Sequence, residues 1–309
     1  MSAQPASPIP GFWNNIFFSP SERRLRAGWR LAIQTALLLA LMACSSLALL
    51  VPYFFLAAGN LNGLAFVLLS EVIELIGVTV SVSLARRFLD RRSFVSMGFK
   101  WGRRAAVDLL AGLLIAFLLI GSIFLALSAM GWVRFEGFSW QYQAPATVLG
   151  GALTMLLVFL LTGWNEELLS RGYHLQTIAS GSNVFWGVVL SSVVFGMLHL
   201  LNPGATWIAA AGVCFAGLLL AYGYLRTGQL WLSIGLHVGW NFFEGPVFGF
   251  MVSGLDFFHL ARIRVHGPIL WTGGDFGPEA GLIVLPAIAL GALLIYFYSR
   301  FFPIQKSAP

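Results

Sequence analysis

Charge is what this 309-residue chain has least of. Only 10% of its residues are Asp, Glu, Lys or Arg, whereas 58% are hydrophobic, and its mean hydropathy is +0.83. Soluble domains carry about 25% charged residues. A chain this poor in charge cannot clothe a water-exposed surface, so lipid is its solvent over much of its length. Cysteine is scarce as well. Cys44 and Cys214 both fall in apolar stretches and make neither a disulfide framework nor a metal-spaced cluster. Strict alternation of apolar and polar residues is missing, which excludes a membrane barrel. No linker, low-complexity run or clear internal repeat interrupts the chain, so residues 1–309 read as one integral membrane domain. The N-terminal stretch MSAQPASPIPGFWNN is polar, and no short apolar region with a small-residue cleavage site follows it, so no signal peptide is expected.

What the chain has in abundance is long apolar runs. A helical span needs about 20 mostly apolar residues, and eight segments qualify: Leu31–Leu56, Leu61–Leu84, Ala105–Met130, Thr147–Asn165, Val184–Leu200, Trp207–Leu225, Leu230–Val252 and Gly281–Phe301. Helices are required because open strands would leave backbone groups unpaired in lipid. The expected fold is an all-α polytopic bundle of about eight spans. The 11 Trp suit the headgroup boundary, and the 34 Gly suit close helix packing.

The net charge of +6 sits between apolar segments and not on a surface patch, so it reads as an orientation signal, and no nucleic-acid partner is expected. Arg23, Arg24, Arg26 and Arg30 precede the first span. Arg86, Arg87, Arg91, Arg92, Lys100, Arg103 and Arg104 lie between the second and third, Arg226 follows the sixth, and Arg300 and Lys306 close the chain. Eight alternating spans put all of these on one side. The other side has Arg134, Arg262 and Arg264, with Glu136, Asp256, Asp275 and Glu279 nearby. The expectation is a multi-pass protein of the plasma membrane with both termini cytoplasmic.

Ionisable residues inside spans are costly and each is a functional hypothesis. Here they are Glu71, Glu74, Glu166, Glu167, Arg171, His199, His237 and Glu244, with Asn241 as an uncharged companion. If Asn165–Arg171 continues the fourth helix, Glu167 and Arg171 are four apart and form an ion pair. Glu166 is turned by about 100° and lies with Thr162 and Ser170, an unpaired carboxylate available as a general base. The competing reading is a structural charge cluster at the helix end. His199 ends the fifth span and has a packing role as its plainer alternative. His237 and Asn241 share a face of the seventh, where Gly235 and Gly239 stand at GxxxG spacing and imply close helix packing. Glu71 and Glu74, three apart on the second helix, read as structural, pairing with Arg or polar backbone. Convergence of the Glu, the two His and the Asn from three spans would satisfy all of them at once.

At these residues the sequence resembles the CPBP intramembrane protease family, which includes type II CAAX prenyl endopeptidases and bacteriocin-processing or self-immunity proteins. The family pattern EExxxR, FxxxH, HxxxN is met by Glu166-Glu167-xxx-Arg171, Phe195-xxx-His199 and His237-xxx-Asn241, in order. The similarity spans roughly 147–248. Ser170 departs from it, standing where relatives usually carry an aromatic. The resemblance implies peptide-bond hydrolysis in the membrane. Glu166 would activate water, His199 would handle water or protons, His237 and Asn241 would stabilise the oxyanion, and Glu167 and Arg171 would shape the site. The implied partner is a membrane peptide or protein, with lipidated substrates among those of relatives.

Two chemistries remain open. Glu166, His199 and His237 would make a His₂Glu zinc set, which uses Glu166 as a ligand and leaves Glu167 as base. Without a metal, Glu166 is the base and His237 with Asn241 the oxyanion donors. No HExxH signature forces zinc, and the metal-free version is favoured. The rival functions are a non-proteolytic scaffold or immunity factor on the same fold, and a transporter using Glu71, Glu74 and Glu166.

Overall fold

The computed structural model describes residues 16–19, 24–56 and 63–302. The N-terminal stretch, Arg23, Lys306 and the start of the segment expected from Leu61 lie outside them. The architecture rests on α1 (Ala27–Leu56), α2 (Gly63–Leu84), α3 (Arg103–Ala129), α4 (Pro145–Glu167), α5 (Val184–Leu198), α6 (Trp207–Thr227), α7 (Trp231–Phe242) and α8 (Val284–Phe301). Among the described residues, all but α7 are long and apolar enough to cross a membrane, seven in number. The protein is an all-α polytopic bundle.

The seventh segment differs from its expectation as a span over Leu230–Val252. The α-helix there has only 12 residues and gives way to a π-helical turn at Phe243–Val247. At 1.5 Å per residue it is about 18 Å long, short of the roughly 30 Å hydrocarbon core. Every residue from Trp231 to Asn241 is buried, so α7 is enclosed by protein. Hydropathy alone cannot separate a helix wrapped by other helices from one wrapped by lipid.

The packing of α7 explains its glycines. It lies most extensively against α3, and also against α4 and α6. A Cβ on Gly235 would run into the backbone of Leu109, and one on Gly112 into the backbone of Leu232 and Gly235. The GxxxG seam is therefore an α3–α7 contact with backbones in near-direct apposition.

Beyond Glu167, α4 does not continue as a regular helix. A π-helical stretch, Leu168–Leu175, leads into a short helix, Gln176–Gly181, and the whole runs 37 residues from Pro145. Such π bulges gather at functional sites. A small sheet was also not expected. β1 (Val133–Phe138) pairs antiparallel with β2 (Ala261–Val265), with a bulge between Phe135 and Gly137. It lies beyond the C-terminal end of α3 and, with the Ser139 N–H donating to the Leu260 carbonyl at 2.9 Å, ties the segment after α7 to the bundle. At the other end of α3, Asp90 is fully buried and receives Arg24 (3.4 Å), Arg86 (3.3 Å) and Arg30. Three arginines assigned to orientation thus also form an internal clasp.

Candidate active site

The site begins where α4 turns into its π stretch. Glu167 and Arg171 are completely buried, and Arg171 Nη1 donates to Glu167 Oε1 at 2.6 Å. Nη2 of the same guanidinium donates to the carbonyl of Gly217 on α6 at 3.0 Å, and its plane lies over the Phe195 ring at 4.3 Å. A side chain on residue 217 would crowd both Ser192 and Arg171, so the glycine makes room for this contact. The pair locks α4, α5 and α6 together.

His237 enters from α7 and meets the glutamates on two sides. Its Nδ1 lies 2.8 Å from Glu167 Oε1, the oxygen that also takes Arg171, and its Nε2 lies 3.6 Å from Glu166 Oε2. The two carboxylates are unequal in access. The Glu166 side chain is 25% exposed, and that of Glu167 is 0%. Phe195 sits at the centre, its ring 4.8 Å from that of His199 and 5.9 Å, edge-on, from that of His237. His199 Nδ1 is 2.8 Å from the Phe195 carbonyl, so it donates there and Nε2 is left over. Among the described residues the Asn241 amide has no hydrogen-bond partner, although Asn241 is only 7% exposed.

Glu166, His199, His237 and Asn241 all line one cavity of about 340 Å³. Thr162 and Ser170 line it with Glu166. The approach of His199 and His237, from helices that strict alternation would set at different depths, follows from α7 being short and internal.

Glu71 and Glu74 differ from expectation. Among the described residues neither meets an arginine. Glu71 accepts from Thr162 Oγ1 at 2.9 Å and from the Asn165 amide at 3.4 Å, and both glutamates line the cavity. Sequence reasoning also missed a third wall. Ser253, Asn202 and Glu279 line the same cavity. The sequence sets Glu279 only among the charges of the side opposite the basic flanks, yet it is 6% exposed and accepts from the Ser253 hydroxyl. One signal was available: the stretch GGDFGPEAG around Glu279 is rich in Gly and Pro and carries the chemistry of tight turns.

Among the described residues no group of three or more His, Cys, Asp or Glu is placed to hold a metal ion, and Glu166, His199 and His237 do not form one. One oxygen of Glu167 is already committed to Arg171 and His237, and Glu166 is the motif carboxylate with access to the cavity.

No curated protein and no solved structure matches the chain. Residues 148–243, which hold all three motifs, match the family described as type II CAAX prenyl endopeptidase Rce1-like.

Proposed function

We propose that this chain is a glutamate-dependent endopeptidase that hydrolyses a peptide bond of a membrane-associated peptide, with no metal step. The observation that carries the reading is the arrangement of Glu166 and His237 in the cavity. An accessible carboxylate lies 3.6 Å from an imidazole nitrogen whose other nitrogen is held by a buried carboxylate. One water can touch both groups at that separation. Glu166 takes a proton from this water, and the water oxygen attacks the substrate carbonyl carbon. The oxyanion that forms accepts hydrogen bonds from His237 Nε2 and the Asn241 amide. With Nδ1 donating to Glu167, donation from Nε2 requires the imidazolium, and carboxylates on both sides supply its counter-charge. The C–N bond then breaks and the leaving nitrogen takes a proton, a step assigned to the His199 side of the cavity.

The apolar part of the lining, including Val67, Phe159, Leu198 and Phe257, suits a hydrophobic side chain or a lipid tail beside the scissile bond. A prenylated substrate agrees with the family description. The test uses the purified protein in liposomes with two probes, a farnesylated peptide ending in the Cys-aliphatic-aliphatic-X pattern and its unprenylated counterpart. Wild-type protein is expected to cleave the farnesylated peptide, also in the presence of a chelator. Glu166→Gln should lose at least about 10²-fold in turnover, the usual contribution of a positioned general base. Equal cleavage by wild type and Glu166→Gln overturns the assignment. Loss on chelation with recovery on adding zinc restores the metal version.

A further inference from the structure

We infer that Glu279, anchored by Ser253 in the cavity wall, is a positioning residue that holds His199 as the proton donor to the leaving nitrogen. The inference rests on the protease reading. It concerns a residue outside the 148–243 match, in the short Pro278–Ala280 turn before α8.

Three chain segments are tied together around this residue. The amide of Asn202, three residues after His199, donates to the Ser253 carbonyl at 3.0 Å. The Ser253 hydroxyl donates to Glu279 Oε2. The Gly254 N–H donates to the Phe276 carbonyl at 2.8 Å, and Phe276 packs with Phe195, Ala209, Val213 and Ala280 in one apolar cluster. The turn carrying Glu279 is thus bound to the end of α5 that carries His199, and both side chains line the same cavity. One carboxyl oxygen is taken by Ser253, and among the described residues the other has no hydrogen-bond partner.

The surroundings of Glu279 leave it few ways to be balanced. Among the described residues no Lys or Arg lines the cavity. The groups whose charge reaches Glu279 are His199 on α5, His237 on α7, Glu166 on α4 and Glu244 on the π turn after α7. Glu244 is itself wholly buried, with Trp240 as its neighbour. Burial pushes the Glu279 carboxyl above the usual carboxylate range. His237 is committed to the two motif glutamates, so His199 is the base left for Glu279. With Nδ1 on the Phe195 carbonyl, His199 Nε2 is the nitrogen that takes part. The Glu279 carboxylate, in the same cavity, is the counter-charge for protonated His199, and this completes the reaction. Water gives one proton to Glu166 and its oxygen bonds to the carbonyl carbon. The C–N bond breaks, and the nitrogen takes the His199 Nε2 proton with the Glu279 carboxylate as counter-charge. The Glu166 proton then refills the His199–Glu279 pair, so the net change is one water consumed.

The experiment measures kcat and KM against pH for the full-length protein in liposomes with the farnesylated peptide. Glu279→Gln keeps an acceptor for Ser253 but no charge. It is expected to lower kcat at least 10-fold with KM within 3-fold, and to move the alkaline limb of the kcat profile down by about one pH unit, because imidazolium loses its counter-charge. Glu279→Asp should restore part of both. Should Glu279→Gln fail to fold, Ser253→Ala is the second variant, expected to shift the limb the same way by a smaller amount. A normal profile in folded Glu279→Gln or Ser253→Ala protein overturns the inference. Glu166→Gln in the same assay separates the two failures. If it is inactive while Glu279→Gln is normal, only the His199 pairing falls. If it cleaves normally, the protease reading itself falls.

Discussion

At the scale of single residues, the adjacent glutamates show how one helical step separates two roles. Side chains one residue apart diverge by about 100°, and the structure sends Glu167 into the protein and Glu166 into the cavity. The ion pair of Glu167 with Arg171 follows from their spacing. The sharing of the same Glu167 oxygen with His237 does not, and it gives one substitution two effects. Glu167→Gln is expected to cost about 3–5 kcal/mol, as a broken buried pair does, and to reduce turnover by releasing His237. Adding Arg171→Met removes the unpaired cation and should recover part of the stability without recovering turnover. Thermal unfolding in detergent and peptide cleavage report the two effects separately. Full recovery of turnover in the double variant would reduce Glu167 to a counter-ion for Arg171. Glu71, Glu74 and Glu279 were legible only as polar residues. What they face depends on helix rotation and on a distant turn, neither of which a local spacing encodes.

At the scale of elements, α7 matters most. It carries His237 and Asn241, and its position is set by the close approach of Gly235 to Leu109 on α3. Backbone atoms cannot move aside as a flexible side chain can. Gly235→Ala is therefore expected to destabilise the protein by about 1–3 kcal/mol or more, the range for overpacked interiors, and to lower turnover in the fraction that stays folded. Gly121→Ala on α3 is the control. Its added carbon would meet only the Phe248 ring, at 3.6 Å, and both unfolding temperature and turnover should stay near wild type. Equal behaviour of the two variants would show that the α3–α7 contact does not hold the site. The π stretch after Glu167 belongs to this scale too. It changes the helix phase between the glutamates and Gln176–Gly181, so helical spacing that still pairs Glu167 with Arg171 loses its meaning farther along.

At the scale of the whole molecule, basic residues divide unevenly between the two ends of α3. Arg87, Arg91, Arg92, Lys100 and Arg103 are exposed beside its N-terminal end. Arg134, Arg262 and Arg264 belong to the sheet beyond its C-terminal end, where Arg264 pairs with Glu136 at 3.0 Å. The larger group retains its sign after Arg24, Arg30 and Arg86 are set aside as a buried clasp on Asp90. Arg24 meets Asp90 at this end, and Arg104 at the start of α3 donates to the Phe302 carbonyl just after α8 at 2.7 Å, so both described ends of the chain lie here although α7 is too short to cross by itself. The rule that Lys- and Arg-rich flanks stay in the cytoplasm then predicts that both are cytoplasmic. Fusions of a reporter active only outside the cytoplasm should be silent at both ends, and activity at either end rejects this orientation.

The sequence by itself determined the solvent and the class of fold. Scarce charge and runs of about 20 apolar residues leave membrane helices as the sole way to pair the backbone. It also determined the Glu167–Arg171 pair and the three motifs, because each is local and a helix repeats with a known angle. Only the tertiary structure decided that α7 is wrapped by protein, that Glu71 and Glu74 face the cavity, and that Glu279 joins it from a turn more than 70 residues beyond His199. The physical reason is that hydropathy reports how apolar a segment is, not which neighbour covers it. Burial of a lone carboxyl depends on contacts between segments distant in the chain, which form only when the bundle closes.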